Sequence, residues 1–250
     1  MFKKILLVTL SLVGILWFFR IYDLFWLPDV TPLQHNDPAT TAFIDHYKGH
    51  NKIEYHFVPY SKIAPSLKEA VVLAEDSTFF SHHGFDFESL RDALEKNWKK
   101  KRFARGGSTI TQQLAKNLYL SPAKNPVRKI KEMIITVLLE RHLSKQRIFE
   151  LYLNVVEWGN GIYGAEAAAR HYYHKPAAAL NVSESAWLAS ILPSPRFFEK
   201  HPTHRAISRK KARLLSMMGR GAKAQSPKPE PEPEVEPEEE PVPPPDEEYY

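Results

Sequence analysis

The chain has 250 residues, 43% of them apolar, which suits one substantial globular domain with appendages. It has no cysteine, which excludes disulfides, thiol nucleophiles and Cys-ligated metals. The net charge of +5 hides an asymmetry: residues 226–250 hold one Lys and ten Asp or Glu, so this segment carries −9 and the rest +14. So basic a body suits nucleic acid, an anionic membrane surface or a phosphorylated substrate, or else it is simply a solvated basic surface.

Lys3 and Lys4 precede an apolar run over 5–19, which Arg20 interrupts before it resumes to Leu27. The uninterrupted part falls a little short of the roughly 20 residues of a spanning helix. Tilt, snorkelling of Arg20 and the aromatic residues Trp17, Tyr22 and Trp26 make up the span. A cleaved signal peptide is the rival reading, but the bulky residues that follow offer no small-x-small cleavage site. We therefore expect a cytoplasmic stub and single-pass anchor over 1–27, with everything after it beyond the inner face of a membrane. That placement argues against nucleic acid. Residues 28–50, broken by Pro28, Pro32 and Pro38, read as an irregular stalk.

A domain is expected over 51–222. Ile53, Tyr55 and Phe57 alternate with polar residues and predict one short strand. Helical signals then dominate. Ser66 and Glu69 form a capping box before Leu67, Ala70, Val71 and Ala74. Leu90, Ala93, Leu94 and Trp98 mark a second helix. Ser108 caps a third, holding Ile110, Leu114 and Leu118. Asn125-Pro126 opens a long fourth, with Ile130, Met133, Ile134, Val137 and Leu138 inward. Ser144 starts a fifth. Gly159, Gly161 and Gly164 mark a loop before an Ala-rich helix over 165–173, and further helices follow over 183–192 and 205–218, the last stopping at Gly219. The fold class is mainly α. The Pro/Glu-rich segment 223–250 has too little apolar surface to fold and is expected to be disordered.

Two carboxylates stand out. Glu75 follows the apolar face of its helix, within Glu75-Asp76-Ser77-Thr78-Phe79-Phe80-Ser81-His82-His83-Gly84, where partial desolvation makes a carboxylate a useful base. A helix end with solvated acids is the plainer alternative. Glu132 lies four residues after Arg128, on one helical face, as a second active-site acid or as half of a surface ion pair. Between them, Gly106-Gly107-Ser108 opens a helix whose free N–H groups, with Arg105 and Lys116 nearby, can hold a pyrophosphate. Gln112 and Gln113 can bond sugar hydroxyls. A capped helix after a flexible loop would look similar. No Walker pattern is present. Glu150 and Asn154 read as braces of the fold. His171 and His174 have helical i, i+3 spacing that a metal could use, but a surface or core place suits them better. Trp98-Lys99-Lys100-Lys101-Arg102-Phe103 suits anionic lipid head groups. Together these features point to chemistry on a sugar that bears a phosphate leaving group.

These motifs, in this order, resemble glycosyltransferase family 51, the peptidoglycan glycosyltransferases, whose domain opens the class A penicillin-binding proteins. The likeness runs from about 62 to 202, with motifs at 75–84, 107–117, 128–132, 145–154 and 161–175. A chain of this length has no room for a transpeptidase domain, so the monofunctional members are the expected match. The resemblance implies a lysozyme-like fold with a smaller membrane-associated jaw lobe. It implies polymerisation of lipid II into β-1,4 glycan strands, with inversion and loss of undecaprenyl pyrophosphate, for cell wall biosynthesis at the bacterial inner membrane, with the catalytic domain periplasmic. It further implies Glu75 as general base and Glu132 as organiser of the centre and a candidate ligand of a divalent cation (Mg or Mn). Asp76, Ser108, Thr109, Gln112, Gln113, Lys116, Asn117, Lys124, Arg128 and Lys129 are implied to bind substrate. Lys124 stands where some members carry Arg, which keeps the charge but not the planar fork. Lipid II, the growing glycan, the membrane and cell-division or elongation proteins are the implied partners. A glycan-cleaving hydrolase is the nearest rival, but cleavage needs no pyrophosphate site. A membrane-tethered scaffold, with its tail recruiting partners, would leave both glutamates dispensable. The Pro/Glu tail departs from the family pattern.

Overall fold

A computed structural model of the chain describes residues 27–49, 52–88, 90–91, 107–122 and 126–225, together with Thr9, Ser11 and Gly14. The described part is mainly helical, as expected: α1 Ala42–Tyr47, α2 Pro65–Glu75, α3 Ile110–Tyr119, α4 Pro126–His142, α5 Lys145–Val155, α6 Ala165–Tyr173, α7 Val182–Ile191, α8 Pro195–Lys200 and α9 Arg205–Gln225. Three short strands, β1 Glu54–Tyr55, β2 Glu157–Gly159 and β3 Ile162–Tyr163, form a sheet in the order β1-β3-β2. β1 runs parallel and β2 antiparallel to β3. The β2–β3 hairpin was read from sequence only as a glycine loop, because strands this short carry no period.

The helices form two packed groups. α2 and α9 lie against α7, and α3 packs against both α4 and α5. Leu67, Ala70 and Val71 of α2 and Ile110 and Leu114 of α3 are fully buried, on the faces their spacing predicts. Ser144 caps α5 by accepting from the Arg147 N–H at 3.2 Å, again as expected.

Elsewhere the structure departs from the sequence reading. α2 opens on Ala64 with Pro65 at its first turn, and its N-cap has no side-chain bond. Proline presets the helical φ and carries no N–H, so a capping side chain has less to satisfy. Ser66 instead bonds Ser185 at 2.8 Å and the Leu180 carbonyl at 3.3 Å, tying α2 to the start of α7. α3 is capped by Thr109, not Ser108, in a reciprocal capping box with Gln112. In α4 the predicted inward face is turned. Glu132, Ile135, Thr136 and Leu139 are buried, while Ile130, Met133 and Val137 are exposed and Ile134 and Leu138 half-buried. α9 continues through Gly219 to Gln225.

The segment read as an irregular stalk also has structure. It carries a 3-10 turn at Thr31–Gln34 and then α1, and Val30, Leu33 and Ile44 are buried. Arg147 holds it by donating to the Leu33 and Asn36 carbonyls and to Asp37. Among the described residues no helix is long and apolar enough to cross a membrane. Apart from Thr9, Ser11, Gly14 and Leu27, the expected anchor over 1–27 lies outside the described residues. So do most of the helix expected around Leu90–Trp98, the 98–103 basic cluster, Arg105, Gly106, Lys124 and the 226–250 tail.

Two tight approaches hold the frame of the site. Gly164 has φ +89°, and a Cβ there would lie 2.4 Å from the Asn154 carbonyl oxygen. Gly84 has φ +85°, and its Cβ would meet Thr136 at 2.8 Å. Asn154, fully buried, bonds both the N–H and the carbonyl of Val58 at 2.9 Å, and Glu150 accepts from the Tyr60 N–H at 2.6 Å. Both residues brace the fold, as their sequence context predicts.

Candidate active site

Glu75 is the last residue of α2, where the helix ends at the mouth of a cavity of about 150 Å³. Glu75, Asp76, Ser77, Asp86, Gly107 and Ser108 are among its lining residues. Both Glu75 oxygens are held: Gln113 Nε2 donates to Oε2 at 3.1 Å, and Lys210 Nζ donates to Oε1 at 3.3 Å. Gln113 is itself oriented by the Tyr152 hydroxyl, which donates to its Oε1 at 3.2 Å. Burial first, and then the charges of Glu75 and Asp76, push Tyr152 well above the usual tyrosine range, so it remains a protonated donor.

Asp76 turns the other way. It is buried; both its oxygens lie 3.0 Å from His82 Nε2, and Oδ2 accepts from the Ile110 N–H at 3.0 Å. It therefore places a carboxylate on the N-terminus of α3, where dipole and free N–H groups favour one. Thr109 Oγ1 donates to the Gly84 carbonyl at 2.6 Å, closing the same seam. The 76–84 turn and the start of α3 are thus stitched together, which sets Glu75 opposite Gly107 and Ser108. The side chains of Thr109 and Gln112, expected at the substrate, are engaged in the helix cap, and Asn117 is buried on α3. Ser108 is exposed and lines the cavity.

The second carboxylate is more deeply placed than a surface pair. Glu132 is 3% exposed. Arg128 donates to its Oε2 at 3.2 Å, and Lys129 bonds its Oε1. Half-buried Lys116 on α3 faces this group: burial lowers its pKa from the usual 10.5, Glu132 and Glu75 raise it, and Arg128 and Lys129 lower it further. Three cations therefore converge around one carboxylate, leaving excess positive charge that a diphosphate would neutralise. Arg128 and Lys129 thus each engage one oxygen of Glu132. Among the described residues no three His, Asp or Glu side chains are grouped to ligate a metal. His174 ends α6 in the left-handed region, and His171 lies 3.6 Å from Glu199.

Sequence reasoning missed Lys210 and Tyr152. Lys210 comes from α9, 135 residues after Glu75, and no local pattern links the two. Tyr152 reads as one more apolar residue of α5, and only its buried hydroxyl reveals its part in the site.

The fold and site define a class: a mainly helical protein that sets a positioned carboxylate near a cluster of cationic side chains. The family model described as Transglycosylase matches residues 41–219. A biosynthetic peptidoglycan transglycosylase of Laribacter hongkongensis is 46% identical over 204 residues, covering 79% of this chain and 90% of its own length. One of Methylobacillus flagellatus is 44% identical over 230 residues, covering 89% and 97%. One of Nitrosomonas eutropha is 51% identical over 166 residues, covering 66% and 67%. The chain belongs to the transglycosylase family.

Proposed function

We propose that this enzyme polymerises lipid II into β-1,4-linked glycan for the bacterial cell wall. The observation that carries the mechanism is the pairing of one oriented carboxylate, Glu75, with the cationic cluster Lys116, Arg128 and Lys129.

Glu75 takes the proton from the acceptor's GlcNAc 4-hydroxyl as that oxygen attacks the donor's MurNAc C1. The bond from C1 to the pyrophosphate oxygen breaks on the opposite face, which inverts the centre. A positioned base of this kind contributes about 10²- to 10⁴-fold. Negative charge develops on the departing undecaprenyl pyrophosphate, and Lys116, Arg128 and Lys129 stabilise it there. Glu132 works through its neighbours, holding Arg128 and Lys129 in place. Ser108, exposed at the cavity, adds a hydroxyl donor beside Glu75.

We place the enzyme in the inner membrane, anchored by 1–27, with its catalytic domain on the periplasmic side. The exposed apolar residues Ile130, Met133 and Val137 of α4 support a lipid-facing surface beside the cation cluster, in a jaw lobe flanking a lysozyme-like body. This position suits a donor whose pyrophosphate sits at the bilayer surface and whose lipid stays in it.

The test is a product assay. Full-length protein in detergent, given lipid II, should yield long glycan strands and no fragments from isolated sacculi. Fragments without polymer would mean a glycan-cleaving enzyme instead.

A further inference from the structure

Lys210 belongs to none of the motifs that mark the site in sequence, yet its ammonium lies 3.3 Å from Glu75 Oε1. The opposite oxygen takes Gln113 at 3.1 Å, so donors from α9 and α3 grip the carboxylate at the end of α2. Both partners are shielded, with side chains 27% and 13% exposed for Lys210 and Glu75. Packing fixes the ammonium's origin, because Ile207, Leu214 and Met218 seat α9 in the core on either side of Lys210. The other charged or titratable groups near Glu75 are otherwise engaged. Asp76 is bound by His82 and the Ile110 N–H, Lys116 faces the Glu132 cluster, and the Tyr152 hydroxyl donates to Gln113.

We propose that Lys210 is a positioning residue for glycosyl transfer, holding the Glu75 carboxylate in the orientation that receives the acceptor's proton. The inference rests on Glu75 being the base. Each carboxylate oxygen has two lone-pair sites. Lys210 occupies one on Oε1 and Gln113 one on Oε2, leaving one on each for the incoming hydroxyl. The proton moves from that hydroxyl to Glu75, and Lys210 stays an ammonium throughout. Without it, Glu75 can rotate about its side-chain bonds, and misplacement of a reacting group by about 1 Å costs on the order of 10²-fold in rate.

The experiment measures steady-state lipid II polymerisation by full-length protein carrying Lys210→Met, Lys210→Arg or Glu75→Gln, with melting temperatures recorded for each. Lys210→Met should lower kcat by on the order of 10²-fold. Its KM for lipid II and its melting temperature should stay close to the parent's. Lys210→Arg, which keeps charge and donor, should recover most of the loss. A raised KM with kcat intact would make Lys210 a substrate contact and overturn the inference. So would parental kinetics in Lys210→Met, or a lost melting transition in both Lys210 variants. An active Glu75→Gln enzyme would defeat the base assignment itself. An inactive Glu75→Gln beside a fully active Lys210→Met would defeat the Lys210 inference alone.

Discussion

At the scale of single residues, the site separates neighbours that sequence treats alike. Glu75 and Asp76 are adjacent acids that both line the cavity, but Asp76 is also bound to His82 and to the Ile110 N–H at the start of α3. Asp76→Ala should therefore lose about 1–3 kcal/mol of stability. Thermal denaturation would show this without substrate, whereas a pure substrate contact would leave the melting curve unmoved. Lys116 makes a second case. Its pKa is lowered, so in the free enzyme it sheds its proton below 10.5, and the fold gains relative stability from this group as pH rises through that window. In the proposed mechanism the charged form stabilises the pyrophosphate. KM for lipid II should therefore rise on alkaline titration before a free lysine would deprotonate, and Lys116→Arg, which keeps its charge, should flatten that limb.

At the scale of elements, the caps and the buried faces decide what could be read in advance. Ser144 before α5 and Pro126 at the start of α4 are local chemistry, and both stand where the sequence put them. The face of α4 was misread because apolar residues occupy both of its sides. Ile130, Met133 and Val137 keep helical spacing as well as Ile135 and Leu139 do, and periodicity cannot tell a core face from an exposed apolar stripe. Replacing Ile130, Met133 and Val137 together with Ser should leave the melting temperature nearly unchanged, since all three are exposed. It should weaken binding to anionic vesicles by roughly tenfold or more, read by co-sedimentation. Thr109→Ala, by contrast, removes the capping box of α3 and should cost about 1 kcal/mol, with Thr109→Ser restoring it.

At the scale of the whole molecule, the site is assembled from helices distant in the chain. Glu75 ends α2, Gln113 and Lys116 come from α3, Arg128 and Glu132 from α4, Tyr152 from α5 and Lys210 from α9. The motifs around the two glutamates were legible because each is short and chemically dense. Their relation was not, because it depends on contacts between distant helices: Gln113 of α3 bonds Glu75 at the end of α2, and α3 packs against α4, which carries Arg128 and Lys129. The role of 28–50 was hidden for a similar reason. Its prolines suggest irregularity, while its anchoring depends on Arg147, some 110 residues away.

The most direct test is lipid II polymerisation by the Glu75→Gln variant, with the products resolved by gel and donor binding measured in parallel. The parent should make glycan strands, and the variant, still folded and still binding lipid II, should make none. Glycan produced by a folded Glu75→Gln enzyme at near-parental rate would contradict the account, because a group other than Glu75 would then have to take the acceptor's proton.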